Sequence, residues 1–190
     1  IGLLGFLSYE LNRWIETLPE PHRSPSAVPE MLWFGMRTLI LEDHVGQQTW
    51  LLSVADPHGS ESPARRAALD ALQRMEAQLN APGLRAPSTA PAAHALPLEP
   101  TTTQAEFETM VSRALESIRA GDIYQANVSQ QFSAPWQGPA LPLYESLRRI
   151  NPSPFACFLA AEGLQVVSCS PERLVRARGG RAQTRPIAGT

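Results

Sequence analysis

Ser170-Pro171-Glu172-Arg173-Leu174-Val175-Arg176-Ala177-Arg178-Gly179-Gly180-Arg181-Ala182-Gln183-Thr184-Arg185-Pro186-Ile187-Ala188-Gly189-Thr190 is the stretch on which the reading of the fold turns. Two strand-like runs, Leu174 to Ala177 and Ala182 to Ile187, flank a Gly179-Gly180 pair that supplies the positive φ angles a tight hairpin needs. Such a hairpin returns its second strand alongside the first. Glu172 and the Ala188-Gly189-Thr190 turn, which begins sixteen residues later, are then expected at neighbouring strand ends, facing one cavity. A carboxyl beside a glycine-opened turn suits acid catalysis on a small anionic substrate. The plainer reading makes Glu172 a strand-end carboxylate, paired with Arg173 or solvated, and the turn a simple strand end.

Working outward, Phe155 to Ala160 and Leu164 to Cys169 predict paired strands across Ala161-Glu162-Gly163. Asn151-Pro152-Ser153-Pro154 ends a short helix expected over Tyr144 to Ile150, and Ile123 to Phe132 reads as a strand. Upstream lies the clearest helix. Thr103 and Glu106 have capping-box spacing, Phe107, Met110, Val111, Ala114, Leu115 and Ile118 recur every three or four residues, and Gly121 stands where a left-handed cap is expected. Ala81 to Pro100 carries Pro82, Pro87, Pro91, Pro97 and Pro100 and predicts a linker. Before it, Pro63 to Leu79 predicts a helix, Met31 to Glu42 and Gln48 to Ala55 two strands joined across Asp43-His44-Val45-Gly46, and Leu3 to Tyr9 a further strand. The chain is therefore expected to be α+β, with a first region over 1–80, a linker over 81–100 and a second region over 101–190.

Composition excludes several classes of function. Sixteen basic and eighteen acidic residues give a net charge of −2, so no nucleic-acid surface or polybasic membrane patch is indicated. No apolar run approaches the roughly 20 residues needed to span a bilayer. Cys157 and Cys169 sit in apolar runs without ligand spacing and read as small buried hydrophobes in a reducing, cytoplasmic compartment. His22, His44, His58 and His94 are scattered without a partner three or four residues away, so they offer no metal site. The chain begins with Ile1 and stops inside a motif, which predicts a segment of a longer protein, inactive by itself.

Four ordered motifs carry a family resemblance. Gly121-Asp122-Ile123-Tyr124-Gln125-Ala126-Asn127, Asn151-Pro152-Ser153-Pro154-Phe155, Ser170-Pro171-Glu172-Arg173 and Arg185-Pro186-Ile187-Ala188-Gly189-Thr190 resemble, in order and spacing, the chorismate-utilising enzymes. These include component I of anthranilate synthase and of aminodeoxychorismate synthase. Gly5 to Leu11, Trp14 to Pro19 and Tyr124-Gln125-Ala126-Asn127 look more like the aminodeoxychorismate branch.

The resemblance implies an anthranilate synthase component I-like β-sandwich with outer helices. It also implies amination of chorismate to 4-amino-4-deoxychorismate, for p-aminobenzoate and folate, with ammonia from a glutamine amidotransferase partner. Mg²⁺ would hold the ring carboxylate, through ligands expected beyond Thr190. Glu172 matches the family's general acid, and Gly189 and Thr190 match its chorismate-contacting turn. Ala188 occupies the place where some aminodeoxychorismate synthases carry a nucleophilic lysine; alanine cannot serve as one. Anthranilate synthases usually have alanine there, which keeps the anthranilate branch open. Pro154, Phe155 and Ala156 match a segment that lines a tryptophan pocket, set against the plainer reading of a proline-ended helix feeding a strand. A non-catalytic small-molecule-binding sandwich is the alternative from another class, and Glu172 argues against it.

Overall fold

The computed structural model describes residues 2–18, 28–55, 61–83 and 97–187. The chain divides into two compact units, Ile1–Pro87 with Phe158–Val166, and Ser88–Cys157 with Val167–Thr190.

In the first unit, β1 (Gly2–Leu7) runs antiparallel to β2 (Met31–Met36), with Gly2 opposite Met36 and Leu7 opposite Met31. Gly5 is required by close approach, since a Cβ there would collide with the Leu32 carbonyl. A 3₁₀ helix over Tyr9–Trp14 follows β1. It is tied to the start of β2 by Ser8 N–H donating to Glu30 O at 2.8 Å and by the Trp14 indole N–H donating to the Glu30 carboxylate at 2.7 Å. β3 (Thr38–Asp43) pairs antiparallel with β4 (Gln48–Ser53). The strand expected over Met31 to Glu42 is thus two strands with different partners, broken at Arg37, whose carbonyl accepts from Val54 N–H at 3.0 Å. α1 (Glu61–Leu79) packs on β4, with Ala64, Ala67, Ala68 and Ala71 toward the hairpin ends, where small side chains let helix and hairpin approach closely.

The second unit begins with the two-residue strand β5 (Glu99–Pro100), inside the expected linker; residues 84–96 of that linker lie outside the described ones. α2 (Gln104–Ala120) has the expected boundaries for a physical reason visible at both ends. Thr103 Oγ1 accepts from Glu106 N–H at 3.3 Å, the Glu106 carboxylate accepts from Thr103 N–H at 2.8 Å, and Gly121 closes the helix at φ 83°. The strand expected over Ile123 to Phe132 reduces to β6 (Phe132–Ser133), paired with β5. Residues 123–131 belong to no strand, although Thr101 N–H donates to Gln131 O at 2.9 Å and carries the pairing one hydrogen bond beyond Pro100. α3 (Ala140–Ile150) starts earlier than the sequence suggests and places Pro142 in its first turn, where a missing N–H costs nothing.

β7 (Phe155–Ala161) and β8 (Leu164–Ser170) form a hairpin, followed by β9 (Arg173–Arg178) and β10 (Arg181–Arg185). Gly179 and Gly180 adopt φ of 56° and 73°, the left-handed geometry their sequence predicts. The described strands make five two-stranded sheets, and none of the described residues is fully buried. Cys157 and Cys169, expected to be buried, are free thiols only half-buried on β7 and β8. Among the described residues, no helix is long and apolar enough to cross a membrane.

Candidate active site

The site is built on the corner between β8 and β9. Pro171 fixes φ and has no N–H, so β8 stops at Ser170 and the chain turns. Glu172 N–H donates to Ser170 Oγ at 3.5 Å and Ser170 Oγ donates back to Glu172 O at 3.4 Å, two long bonds that span the corner. Glu172 therefore leads into β9 with its side chain exposed.

β10 returns beside it, but not in simple register. Arg181 faces Arg178, Ala182 faces Ala177 and Gln183 faces Arg176, and then Arg185 faces Arg173. Three steps on β9 match two on β10, so β9 carries one extra residue. In unbroken register Pro186 would face Arg173, and proline cannot donate to a ladder. The bulge puts Arg185 there instead. Beyond the strand, Ile187 N–H donates to Glu172 Oε1 at 3.0 Å. Glu172, Arg173, Leu174, Thr184 and Pro186 line an open hollow of about 440 Å³.

Glu172 is thus bonded to the residue immediately before Ala188. Ala188, Gly189 and Thr190 themselves lie outside the described residues. The pairing of Glu172 with Arg173 raised by the plainer reading is not made. The Arg173 guanidinium lies over the Phe155 ring, 5.5 Å from its centroid, and Nη1 donates to Gln183 Oε1 at 3.4 Å. This contact joins the start of β7 to the start of β9.

Pro154 lies in the turn before β7, which Ala156 N–H closes by donating to Ser153 O at 3.1 Å; Phe155 is exposed and Ala156 half-buried. Sequence reasoning missed the Ile187 N–H and the Phe155–Arg173 stack. Pro186 in a strand was the available signal for the bulge behind the first. The second joins residues eighteen apart and has no local signature. Among the described residues, no three His, Cys, Asp or Glu side chains are grouped to hold a metal ion.

The family described as chorismate binding enzyme matches residues 1–190. The chain belongs to that family. It is 37% identical over 196 residues to the anthranilate synthase component I-like protein of Synechocystis sp., covering 100% of this chain and 36% of that protein. To the aminodeoxychorismate synthase component 1 of Salmonella typhimurium it is 31% identical over 189 residues, covering 100% and 38% respectively. The crystal structure of anthranilate synthase component I from Streptococcus pneumoniae TIGR4 superposes with a TM-score of 0.81 at 26% identity, over 95% of this chain and 41% of that one. The family member thus has the α+β fold of component I over this stretch, and it spans well under half the length of these relatives.

Proposed function

We propose that this family member acts as component I of an aminodeoxychorismate synthase. It aminates chorismate, with ammonia from a glutamine amidotransferase partner, to give 4-amino-4-deoxychorismate. The observation that carries the chemistry is the bond from Ile187 N–H to Glu172 Oε1, which ties a carboxyl to the approach of the Ala188-Gly189-Thr190 turn. Amination exchanges a ring C–O bond for a C–N bond. Hydroxide is a poor leaving group, so a proton from Glu172 lets the oxygen depart as water, while ammonia supplies the nitrogen and gives up a proton. Gly189 permits close backbone approach to the substrate, and the Thr190 hydroxyl can donate to a carboxylate or ether oxygen. Mg²⁺ on the ring carboxylate, tryptophan at Pro154, Phe155 and Ala156, and a cytoplasmic setting belong to the same reading.

The branch is supported by Tyr124-Gln125-Ala126-Asn127 and by Gly5 to Pro19. The second reading, anthranilate synthase component I, is favoured by Ala188 and by the names of the more similar relative and of the solved structure. If ammonia attacks without a covalent adduct, alanine at this place is compatible with either branch.

In the full-length protein, Glu172→Gln keeps the shape of the side chain and removes its proton. Chorismate binding should stay within about threefold while kcat falls roughly 10²-fold or more. A variant with near-native kcat would return Glu172 to the role of a solvated strand-end carboxylate.

A further inference from the structure

Arg173 is the chain neighbour of Glu172, yet its guanidinium is held elsewhere, on the ring of Phe155 and the side-chain oxygen of Gln183. This placement matters to an acid. A cation within about 4–6 Å favours the charged form of a carboxyl, and the charged form has no proton to give. An aromatic face attracts a guanidinium electrostatically, whereas an aliphatic side chain of similar size does not.

We propose that Phe155 is a positioning residue that keeps the Arg173 guanidinium off Glu172, and so keeps Glu172 able to donate a proton. The proposal rests on the reading of Glu172 as the general acid. The charged groups on the hairpin that Glu172 opens are Arg173, Arg176 and Arg178 of β9 and Arg181 and Arg185 of β10; β8 ends in the Ser170 hydroxyl bonded to the Glu172 backbone, and the titratable side chains of β7 and β8 are the Cys157 and Cys169 thiols. Leu174, Thr184 and Pro186, which line the same hollow, carry no charge. Arg185 is the register partner of Arg173, so their like charges oppose each other across the ladder. Released from the ring, Arg173 keeps only its long bond to the neutral Gln183 Oε1, and the charged carboxylate next to it in the chain is the stronger partner.

The test is the pH profile of kcat in the full-length protein with saturating chorismate and an ammonium salt. For a general acid, kcat falls as pH rises through the ionisation of that acid in the substrate complex. Phe155→Leu should move this alkaline limb down by about one pH unit, lowering kcat on the limb itself about tenfold with little change in KM. Phe155→Tyr keeps the ring face and should hold the alkaline limb at its native position. Combining Phe155→Leu with Arg173→Gln removes the released cation and should return the limb to its native position, which lost packing alone would not do. Phe155→Met, also without a ring, repeats the test should the leucine variant fold poorly. An unmoved limb in Phe155→Leu, or a shifted limb that persists in the double variant, would overturn the proposal. Glu172→Gln separates the two ideas: a limb that survives it faults the acid assignment, whereas a limb that it abolishes, but that Phe155→Leu leaves in place, faults the role of Phe155.

Discussion

The Asp43 carboxylate accepts the N–H groups of Val45 and Gly46 at 2.9 and 3.0 Å. These bonds, Gly46 first, hold its ionisation below the usual carboxylate range; the slight loss of solvent works against them, and His44 adds a small pull in their favour. The folded value lies below the unfolded one. The bonds therefore contribute fully above the unfolded value, and their contribution is lost as pH falls through the folded value. An NMR titration of the Val45 and Gly46 amides should show a midpoint below that of a solvated aspartate, and Asp43→Asn should abolish the step. A midpoint at the ordinary aspartate value would contradict this account. At Glu172 a single backbone donor, Ile187 N–H, meets the carboxylate, and the Arg173 guanidinium is held on the Phe155 ring.

At the scale of elements, α2 offers the cleanest test of local coding. Thr103→Ala removes one half of a reciprocal cap, a loss of about 1 kcal/mol. Amide exchange at Glu106 and Phe107 should then accelerate about fivefold, while Thr103→Ser stays near native. Unchanged exchange in the alanine variant would mean that packing, not the cap, sets the start of α2. This helix was legible because both its ends are written in side chains that bond their own backbone. The β9–β10 turn was legible because Gly179-Gly180 leaves few other conformations. Arg37 was not. Met31 to Glu42 is rich in apolar residues on both sides of Arg37 and Thr38, and a polar pair inside a strand does not announce that the partner changes there. Residues 123–131 have strand-like composition without a ladder, because β-propensity records fit to a neighbour rather than a backbone preference. At the candidate site, the meeting of Glu172 with the end of β10 followed from the hairpin. The bulge that sets its register, and the stack of Arg173 on Phe155, are tertiary choices that no short motif encodes.

At the scale of the molecule, the described strands pair only two by two, and a lone hairpin is marginal in water. Leu174 is 88% exposed and Tyr124 91% exposed, although both are large apolar or aromatic groups close to proposed functional motifs. Family membership rests on the whole sequence, and the component I fold on the TM-score of 0.81; the choice between branches rests on a few residues. Tyr124 to Asn127 and Gly5 to Pro19 point one way, Ala188 the other. Product identification decides between them most directly. The full-length protein is incubated with chorismate, Mg²⁺ and an ammonium salt, followed by a lyase that releases p-aminobenzoate from 4-amino-4-deoxychorismate, with anthranilate fluorescence monitored throughout. The account predicts that chorismate is consumed, that p-aminobenzoate appears only once the lyase is added, and that no anthranilate forms. Anthranilate without lyase and without p-aminobenzoate would contradict the assigned branch, and chorismate bound but never consumed would contradict the enzyme itself.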